Sequence, residues 1–360
     1  MDVGEKRLRI VRLLSSSKDE LIRLYRSSSV ATVLKLLSEM SRLSEGHVKG
    51  CDSALLPVEE LKQFPVRGSN SIECRPEEAL RSDGFVVAAY DSSTYYPSPH
   101  FGLNIAIVSV GFWCQDYAMA SVYSDMYPRL FTSLPRRRRE VIAKIGEAEA
   151  LDVLMERLSI DEGGRKIMLL DEALNLSYTL ALSQELRREV VSLMKEILNK
   201  VIRAGFAPAG VFYTRAQDLA NSLRILGVLS ESDGVTDKSV MNWWLNPMAR
   251  SPVFKVYSRP LLEGNLSIMC FYLKVGEGNV LRVEFPEECL DQVNDIHLAA
   301  LCQSFLGNGY PLALERAHEL AVLTREDRQV IEMEIARLLG VASLEELISR
   351  KEVAKRWPVV

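Results

Sequence analysis

Two short apolar runs, each followed directly by an aspartate, constrain the fold of this chain most strongly. Residues 85–90 lead into Asp91, and residues 166–170 lead into Asp171. A run that is apolar at nearly every position, instead of at every second one, is typical of a strand that is covered on both faces. The sequence therefore predicts an α/β fold in which a mixed sheet is flanked by helices.

The spacing of apolar residues predicts further elements along the chain. In order, these are strands at 103–113 and 118–124, a helix from Pro135 to about Leu158, the second apolar run, a helix at 176–203, strands at 210–213, 252–257, 267–274 and 280–285, and helices at 288–306 and 312–339. Residues 5–45 show helical spacing, and residues 46–82 have the composition of a connector. We expect a helical N-terminal region with its connector over residues 1–82, a main domain over 83–340 and a C-terminal tail over 341–360.

The positions of Asp91 and Asp171 favour a shared binding site. Open α/β sheets bind ligands beyond the ends of their strands, where both aspartates are expected to lie. Glu147 is a third candidate, because it lies four residues before Leu151 on the core-facing stripe of the helix between the two runs. Glu149 lies on another side of that helix and remains the alternative to Glu147.

Grouped carboxylates repel one another, so one of them must take up a proton or a cation must lie among them. One or two Mn²⁺ or Mg²⁺ ions would compensate this charge. Two such ions ~3.5–4 Å apart hold the attacking and leaving oxygens of a phosphodiester displacement. By analogy, the order of these elements is that of ribonuclease H-like nucleases. The competing interpretation is structural, since an aspartate at a strand end commonly caps the next turn.

His318 is the fourth candidate for the site. Pro311 suits the first position of a helix, which places His318 two turns into that helix. Tyr310 and His318 can then both reach a cleft from the N-terminal end of the helix, where the helix dipole favours a phosphate. An isolated helical histidine is more often structural or exposed, so the spacing by itself leaves both interpretations open.

Length and composition limit the class of protein. The chain has 360 residues, of which 48% are apolar and 26% charged, as in globular proteins with a large core. No apolar run reaches the ~20 residues needed to cross a bilayer, and the charged N-terminal segment lacks the features of a signal peptide. We expect a cytoplasmic protein with no membrane segment, whose six scattered cysteines are reduced thiols.

The net charge of −4 gives no sign of a general affinity for nucleic acid, although a local groove can still be basic. Guanidinium groups make forked contacts with phosphate, and the candidates for DNA contact are Arg136, Arg137, Arg138, Arg139, Arg215, Arg250 and Arg282. Two alternatives stay open. The run at 136–139 can be a solvated first turn of a helix, and Arg282 can pair with Glu284 on the same strand face.

In their order and spacing, these residues resemble the NurA family of nucleases. The matching pieces are the first strand with Asp91-Ser92-Ser93 and Tyr96-Pro97-Ser98, the helix around Glu147, the strand with Asp171, Arg250-Ser251-Pro252, Arg282-Val283-Glu284-Phe285-Pro286, and Tyr310-Pro311 with Ala317-His318. They extend from about residue 85 to about residue 335. The segment from Tyr310 to His318 is the most specific of them.

The resemblance implies a ribonuclease H-like domain over residues 83–340 and a Mn²⁺-dependent nuclease that acts on DNA ends during resection and repair. It also implies a homodimer that docks on a HerA-like hexameric ATPase. Asp91, Glu147, Asp171 and His318 would be the metal ligands, and Tyr310 would be a supporting catalytic residue.

The chain departs from the NurA pattern beside both aspartates. NurA proteins usually have a glycine after each aspartate, where this chain has Ser92 and Glu172. A glycine lets the backbone approach a ligand closely, so its loss bears on substrate preference and rate. Two alternatives to a DNA nuclease stay open. One is a NurA-like DNA-binding subunit of an ATPase complex that does not cut, and the other is a ribonuclease H-like enzyme that cuts RNA in a hybrid.

Overall fold

Eleven strands form one sheet in the part of the chain that the structure describes. The structure, a computed structural model, describes residues 38–48, 52–59, 66–67, 76–97, 103–132, 139–157, 164–213, 216–230 and 235–341, together with residues 11, 15 and 343. The strands are β1 (Ser53–Pro57), β2 (Val66–Arg67), β3 (Phe85–Tyr95), β4 (Ile105–Asp116), β5 (Ser121–Thr132), β6 (Arg165–Leu170), β7 (Ala207–Tyr213), β8 (Ala249–Arg250), β9 (Phe254–Ser258), β10 (Ile268–Gly276) and β11 (Asn279–Pro286).

Helices cover both faces of this sheet. They are α1 (Glu45–Val48), α2 (Pro76–Ser82), α3 (Arg139–Arg157), α4 (Gln184–Arg203), α5 (Asp218–Ile225), α6 (Asp237–Trp244), α7 (Arg259–Gly264), α8 (Val293–Leu306), α9 (Leu312–Ala321) and α10 (Arg325–Leu339). Short 3₁₀ helices at Ser177–Ala181 and Glu287–Gln292 precede α4 and α8.

The strands lie in the order β1-β9-β10-β11-β7-β6-β3-β4-β5, and β8 pairs with β2 and β10 beside this path. Strands β3, β4 and β5 form an antiparallel meander. Strand β6 runs parallel to β3, and β7 runs parallel to β6, as expected for strands that are joined by helical crossovers. The prediction of a mixed sheet flanked by helices is therefore confirmed.

The first apolar run is buried on both faces, as predicted. Side chains alternate between the two faces of a strand. In residues 85–90 the even-numbered side chains pack in one core with α3 and α4, and the odd-numbered side chains pack in a second core with α2, α8 and α9. The sheet thus separates two hydrophobic cores, and β3 lies between them.

Strand β3 continues past its predicted end at Asp91. It extends to Tyr95 because β4 pairs with it over this whole length. Only the parallel neighbour β6 stops earlier, at Leu170, which pairs with Tyr90. Asp91 therefore lies within a strand, at the point where that strand loses its parallel neighbour.

Further differences from the predicted elements concern the connector and the last predicted helix. The predicted connector contains β1, which pairs with β9 at the edge of the sheet, and α2, which packs against α8. The single helix predicted at 312–339 is two helices, because Thr324 starts α10 with a capping box to Asp327. Most of the helical pattern at 5–45 lies outside the described residues.

The cysteines agree with the prediction where they are described. Cys114, Cys270, Cys289 and Cys302 are buried free thiols, while Cys51 and Cys74 lie outside the described residues. None of the described helices combines the length and apolar character that a transmembrane helix requires.

Candidate metal centre

Asp91 and Asp171 lie side by side because of the register between β3 and β6. Tyr90 pairs with Leu170 in this parallel pair, so the residue that follows each of them is an aspartate at the same level of the sheet. Together with His318, the two aspartates offer one ligand atom each, and these three atoms lie within 4.8 Å of one another. The fold thus brings together three predicted site residues that are distant in sequence.

Helix α9 places His318 beside Asp91 because the helix packs directly on β4. Asp91 pairs with Gly111 of β4, and a Cβ atom at Gly111 would lie 2.2 Å from the carbonyl oxygen of Ala317. The missing side chain therefore lets the backbone of α9 contact the strand. The next residue, His318, places its Nδ1 atom 2.7 Å from Oδ2 of Asp91.

Asp91 has two polar contacts that favour its charged form. Burial raises the pKa of Asp91, while the contact with His318 and a hydrogen bond from the backbone N–H of Ser92 (2.7 Å) oppose this rise. The His318 side chain is 58% exposed, so the imidazole is accessible to an ion.

Tyr310 supports Asp171. Its hydroxyl donates a hydrogen bond to Oδ1 of Asp171 (2.5 Å) and lies 3.0 Å from the carbonyl oxygen of Val211. Its ring stacks on that of Tyr213, with the ring centroids 5.3 Å apart. Burial and the Asp171 carboxylate both raise the pKa of Tyr310, so the hydroxyl remains a neutral donor that orients Asp171.

Glu147 faces the same pocket, and Glu149 does not. Glu147 is 3% exposed and accepts a hydrogen bond from the Ser92 hydroxyl at 2.6 Å. Glu149 lies at the surface and pairs with Arg129 at 2.7 Å. Of the two glutamates considered from the sequence, only Glu147 is therefore close to the aspartates.

Lys144 and Glu172, which were not among the predicted site residues, also line the pocket. Nζ of Lys144 donates hydrogen bonds to Oε2 of Glu147 (2.7 Å) and Oε2 of Glu172 (2.5 Å). Lys144 precedes Glu147 by three residues on one helix face, and Glu172 directly follows Asp171, so both positions carried a usable sequence signal. Glu172 fits here because residue 210 is a glycine, where a Cβ atom would lie 2.4 Å from the Glu172 carbonyl oxygen.

Lys144 and Glu172 each shift the pKa of the other. Burial acts to lower the pKa of Lys144, but the carboxylates of Glu147 and Glu172 outweigh it and raise the pKa. Burial raises the pKa of Glu172 to about 7, against the opposing effect of Lys144. Lys144 therefore keeps its proton near neutral pH.

The pocket has a volume of about 190 Å³. Its charged lining consists of Asp91, Lys144, Glu147, Asp171 and Glu172. Four carboxylates and one ammonium give a formal charge of −3 when all are ionised. This surplus of carboxylate oxygens, with an imidazole beside it, suits a divalent cation such as Mn²⁺ or Mg²⁺.

Two arginines predicted to contact DNA are buried instead. Arg250 is 3% exposed and pairs with Glu59 at 3.0 Å. Arg282 is 0% exposed and pairs with Glu284 at 2.7 Å, which was the alternative considered from the sequence. Neither guanidinium can reach a phosphate, and this corrects the prediction for both residues.

Of the other predicted DNA contacts, Arg139 is exposed at the start of α3, where its guanidinium lies 4.6 Å from the ring centre of Tyr96. It remains a candidate for phosphate contact. Arg136, Arg137, Arg138 and Arg215 lie outside the described residues.

The fold and the site define a class of α/β proteins that carry an acidic, histidine-containing centre beside the ends of parallel strands. The NurA domain matches residues 85–323, which is more than half of the chain. The chain therefore belongs to the NurA family.

The comparison with solved structures finds NurA proteins and an endonuclease V among its matches. The NurA nuclease from Sulfolobus solfataricus is 15% identical, with a TM-score of 0.54, and the match covers 92% of this chain and 97% of that one. A crystal structure of NurA with manganese is 11% identical, with a TM-score of 0.39 and coverage of 90% and 98%. Endonuclease V from Ciona intestinalis in complex with DNA is 15% identical, with a TM-score of 0.36 and coverage of 76% and 95%. A comparison with curated proteins finds no match.

Proposed function

We propose that this chain is a metal-dependent nuclease that hydrolyses phosphodiester bonds of DNA and acts at DNA ends during resection and repair. The observation that carries the proposal is the convergence of Asp91, Asp171 and His318 at one acidic pocket. Membership of the NurA family supports the same activity.

In this proposal Asp91, Asp171 and His318 bind Mn²⁺, with Mg²⁺ as the alternative. The mixed donor set favours Mn²⁺, because Mg²⁺ is usually bound by oxygen alone and imidazole suits transition metals. When bound, the ion would lower the pKa of a water molecule and polarise a phosphoryl oxygen. Tyr310 and the backbone of Ser92 orient the two aspartates. Glu147, which was predicted as a further ligand, lies on the buried side of the pocket beside Lys144.

We also propose that the core is ribonuclease H-like. The strand order β5-β4-β3-β6-β7 supports this, since an antiparallel meander is followed by two parallel strands. The acidic residues occur at matching places: Asp91 on the first strand, Glu147 on the helix after the meander, and Asp171 after the next strand. The argument is one of analogy between layouts.

The test is a cleavage assay with the purified chain and labelled single- and double-stranded DNA, in the presence of Mn²⁺, Mg²⁺ or EDTA. We expect cleavage with Mn²⁺, weaker cleavage with Mg²⁺ and none with EDTA. An RNA–DNA hybrid of the same sequence is the matched substrate control. Binding of DNA without cleavage in any condition would indicate the non-cutting subunit, and cleavage of the hybrid alone would indicate the ribonuclease alternative.

We further propose that the chain acts in the cytoplasm as a homodimer that docks on a HerA-like hexameric ATPase. The dimer is supported by α10, on which Val330, Met333, Leu338 and Leu339 are each more than half exposed. A group of exposed apolar side chains commonly marks an interaction surface, and obligate interfaces often bury more than ~2,000 Å². We expect light scattering at micromolar concentration to give twice the chain mass, and a monomer mass would contradict the dimer.

A further inference from the structure

The buried side of the pocket already holds a cation. Lys144 is 7% exposed and lines the pocket together with Asp91 and Asp171. Its Nζ atom lies 2.7 Å from Glu147 and 2.5 Å from Glu172. One positive charge is thus part of the acidic centre before any ion binds.

The surrounding contacts hold this ammonium in place. Lys144 and Glu147 are three residues apart on the face of α3 that continues into the buried Leu151. The second oxygen of Glu147 accepts a hydrogen bond from the Ser92 hydroxyl (2.6 Å), and the second oxygen of Glu172 lies 3.4 Å from the Tyr90 hydroxyl. Both glutamates therefore have a partner for each oxygen.

A metal ion on Glu147 or Glu172 would have to displace Lys144. Such an ion binds a carboxylate oxygen at ~2.0–2.2 Å, in the space that Nζ occupies. The displaced ammonium would then be left in a buried place without its partners, which is strongly unfavourable. Among the described residues, Asp91, Asp171 and His318 have no such competitor, because their hydrogen-bond partners are Ser92, Tyr310 and one another, and no lysine or arginine is among them.

The charge of the pocket leads to the same conclusion. With Lys144 in place and all four carboxylates ionised, the formal charge of the lining is −3. One divalent ion reduces the excess to a single negative charge. A second divalent ion would reverse the sign and would lie beside an ammonium group, where like charges repel.

We propose that the Lys144 ammonium takes the place of a second metal ion, so that the centre binds one divalent ion, at Asp91, Asp171 and His318. This inference rests on the proposed function. An ammonium has three N–H donors, and the bonds to Glu147 and Glu172 use two of them. The third is available to an oxygen of the reacting phosphate, where a fixed positive charge stabilises the negative charge that develops.

The inference is tested by counting bound Mn²⁺ ions. Isothermal titration calorimetry gives the number of ions per chain, and electron paramagnetic resonance distinguishes an isolated Mn²⁺ ion from a magnetically coupled pair. We expect one isolated ion in the wild-type chain. We expect two ions in Lys144→Met, because the substitution frees Glu147 and Glu172 and removes the competing charge.

Lys274→Met is the matched control. Lys274 is also buried, at 4% exposed, but its ammonium contacts Asn242 and Glu277 outside the pocket. We expect this variant to bind one ion, as the wild type does. Circular dichroism checks the folding of each variant, and the wild-type ion count tests the inference without any substitution.

A wild-type chain that cleaves DNA while binding a coupled pair of ions would overturn the role of Lys144 and leave the proposed nuclease intact. A folded Lys144→Met variant that still binds one ion would also overturn it. A wild-type chain that neither binds Mn²⁺ nor cleaves DNA would overturn the nuclease proposal, and the role of Lys144 with it.

Discussion

Replacement of Asp91 by asparagine is expected to abolish DNA cleavage while the chain stays folded. In the proposed centre, the substitution removes the charge of a metal ligand beside His318, whose Nδ1 atom lies 2.7 Å from the carboxylate. Loss of the ion would cost about 4 kcal/mol or more of transition-state stabilisation, which corresponds to a rate decrease of at least ~1000-fold. Cleavage rates at saturating Mn²⁺ and Mn²⁺ affinities measured by calorimetry are both expected to fall.

We expect the fold to tolerate this substitution because the charged form of Asp91 destabilises the folded chain. Burial raises the pKa of Asp91, so the charged form is less favourable in the folded chain than in water, and a neutral side chain relieves repulsion with Asp171. Glu149→Gln is the matched control, since it also removes one carboxylate but from the outer face of α3. An Asp91→Asn chain that cleaves DNA within about tenfold of the control rate would rule out the proposed centre.

The aspartate pair could be predicted from the sequence because it depends on local signals. Two buried runs, each followed by an aspartate, are expected to form neighbouring parallel strands, and parallel strands bring their carboxyl ends to one edge. The register between β3 and β6 then places Asp91 beside Asp171. Only the continuation of β3 to Tyr95 was missed, because it depends on pairing with β4, which no local pattern reports.

The rest of the pocket depends on packing between distant segments. His318 reaches Asp91 because α9 contacts β4 at Gly111, and nothing in the sequence near His318 specifies that contact. Lys144 lies on the stripe that contains Glu147, but a lysine on a helix is normally interpreted as solvent-exposed. Its burial becomes understandable only when Glu172, from another element, is placed beside it.

The burial of Arg250 and Arg282 also depends on packing between distant segments, which the sequence does not report. Arg282 was considered for DNA contact because a guanidinium group makes forked contacts with phosphate, yet its neighbours in space are three carboxylates, one on the same strand and two on helices. Nη1 of Arg282 lies 2.5 Å from Asp218 and 4.0 Å from Asp237, and Nε lies 2.7 Å from Glu284. Asp237 also accepts hydrogen bonds from two backbone N–H groups at the start of α5. The cluster therefore joins β11 to α5 and α6.

Arg282→Met is expected to lower the free energy of unfolding by about 3–5 kcal/mol, the usual cost of removing one partner from a buried ion pair. Burial raises the pKa values of Asp237 and Glu284, and Arg282 opposes this rise, so without the guanidinium these carboxylates are left buried and uncompensated. The Arg282→Lys variant should lose less free energy of unfolding, because it keeps the positive charge. It should still be less stable than the wild type, because lysine lacks the forked geometry that contacts several carboxylates.

Urea denaturation followed by circular dichroism measures these differences, because a lower midpoint at an unchanged slope reports lost stability. Arg337→Met is the control, since Arg337 pairs with Glu334 at the surface of α10 and exposed pairs contribute little; its midpoint should match the wild type. If Arg282→Met instead kept the wild-type midpoint and weakened DNA binding with a smaller salt dependence, Arg282 would have to contact phosphate. The guanidinium would then have to leave a cluster of three carboxylates, so we expect the stability of the chain, and not its DNA affinity, to change first.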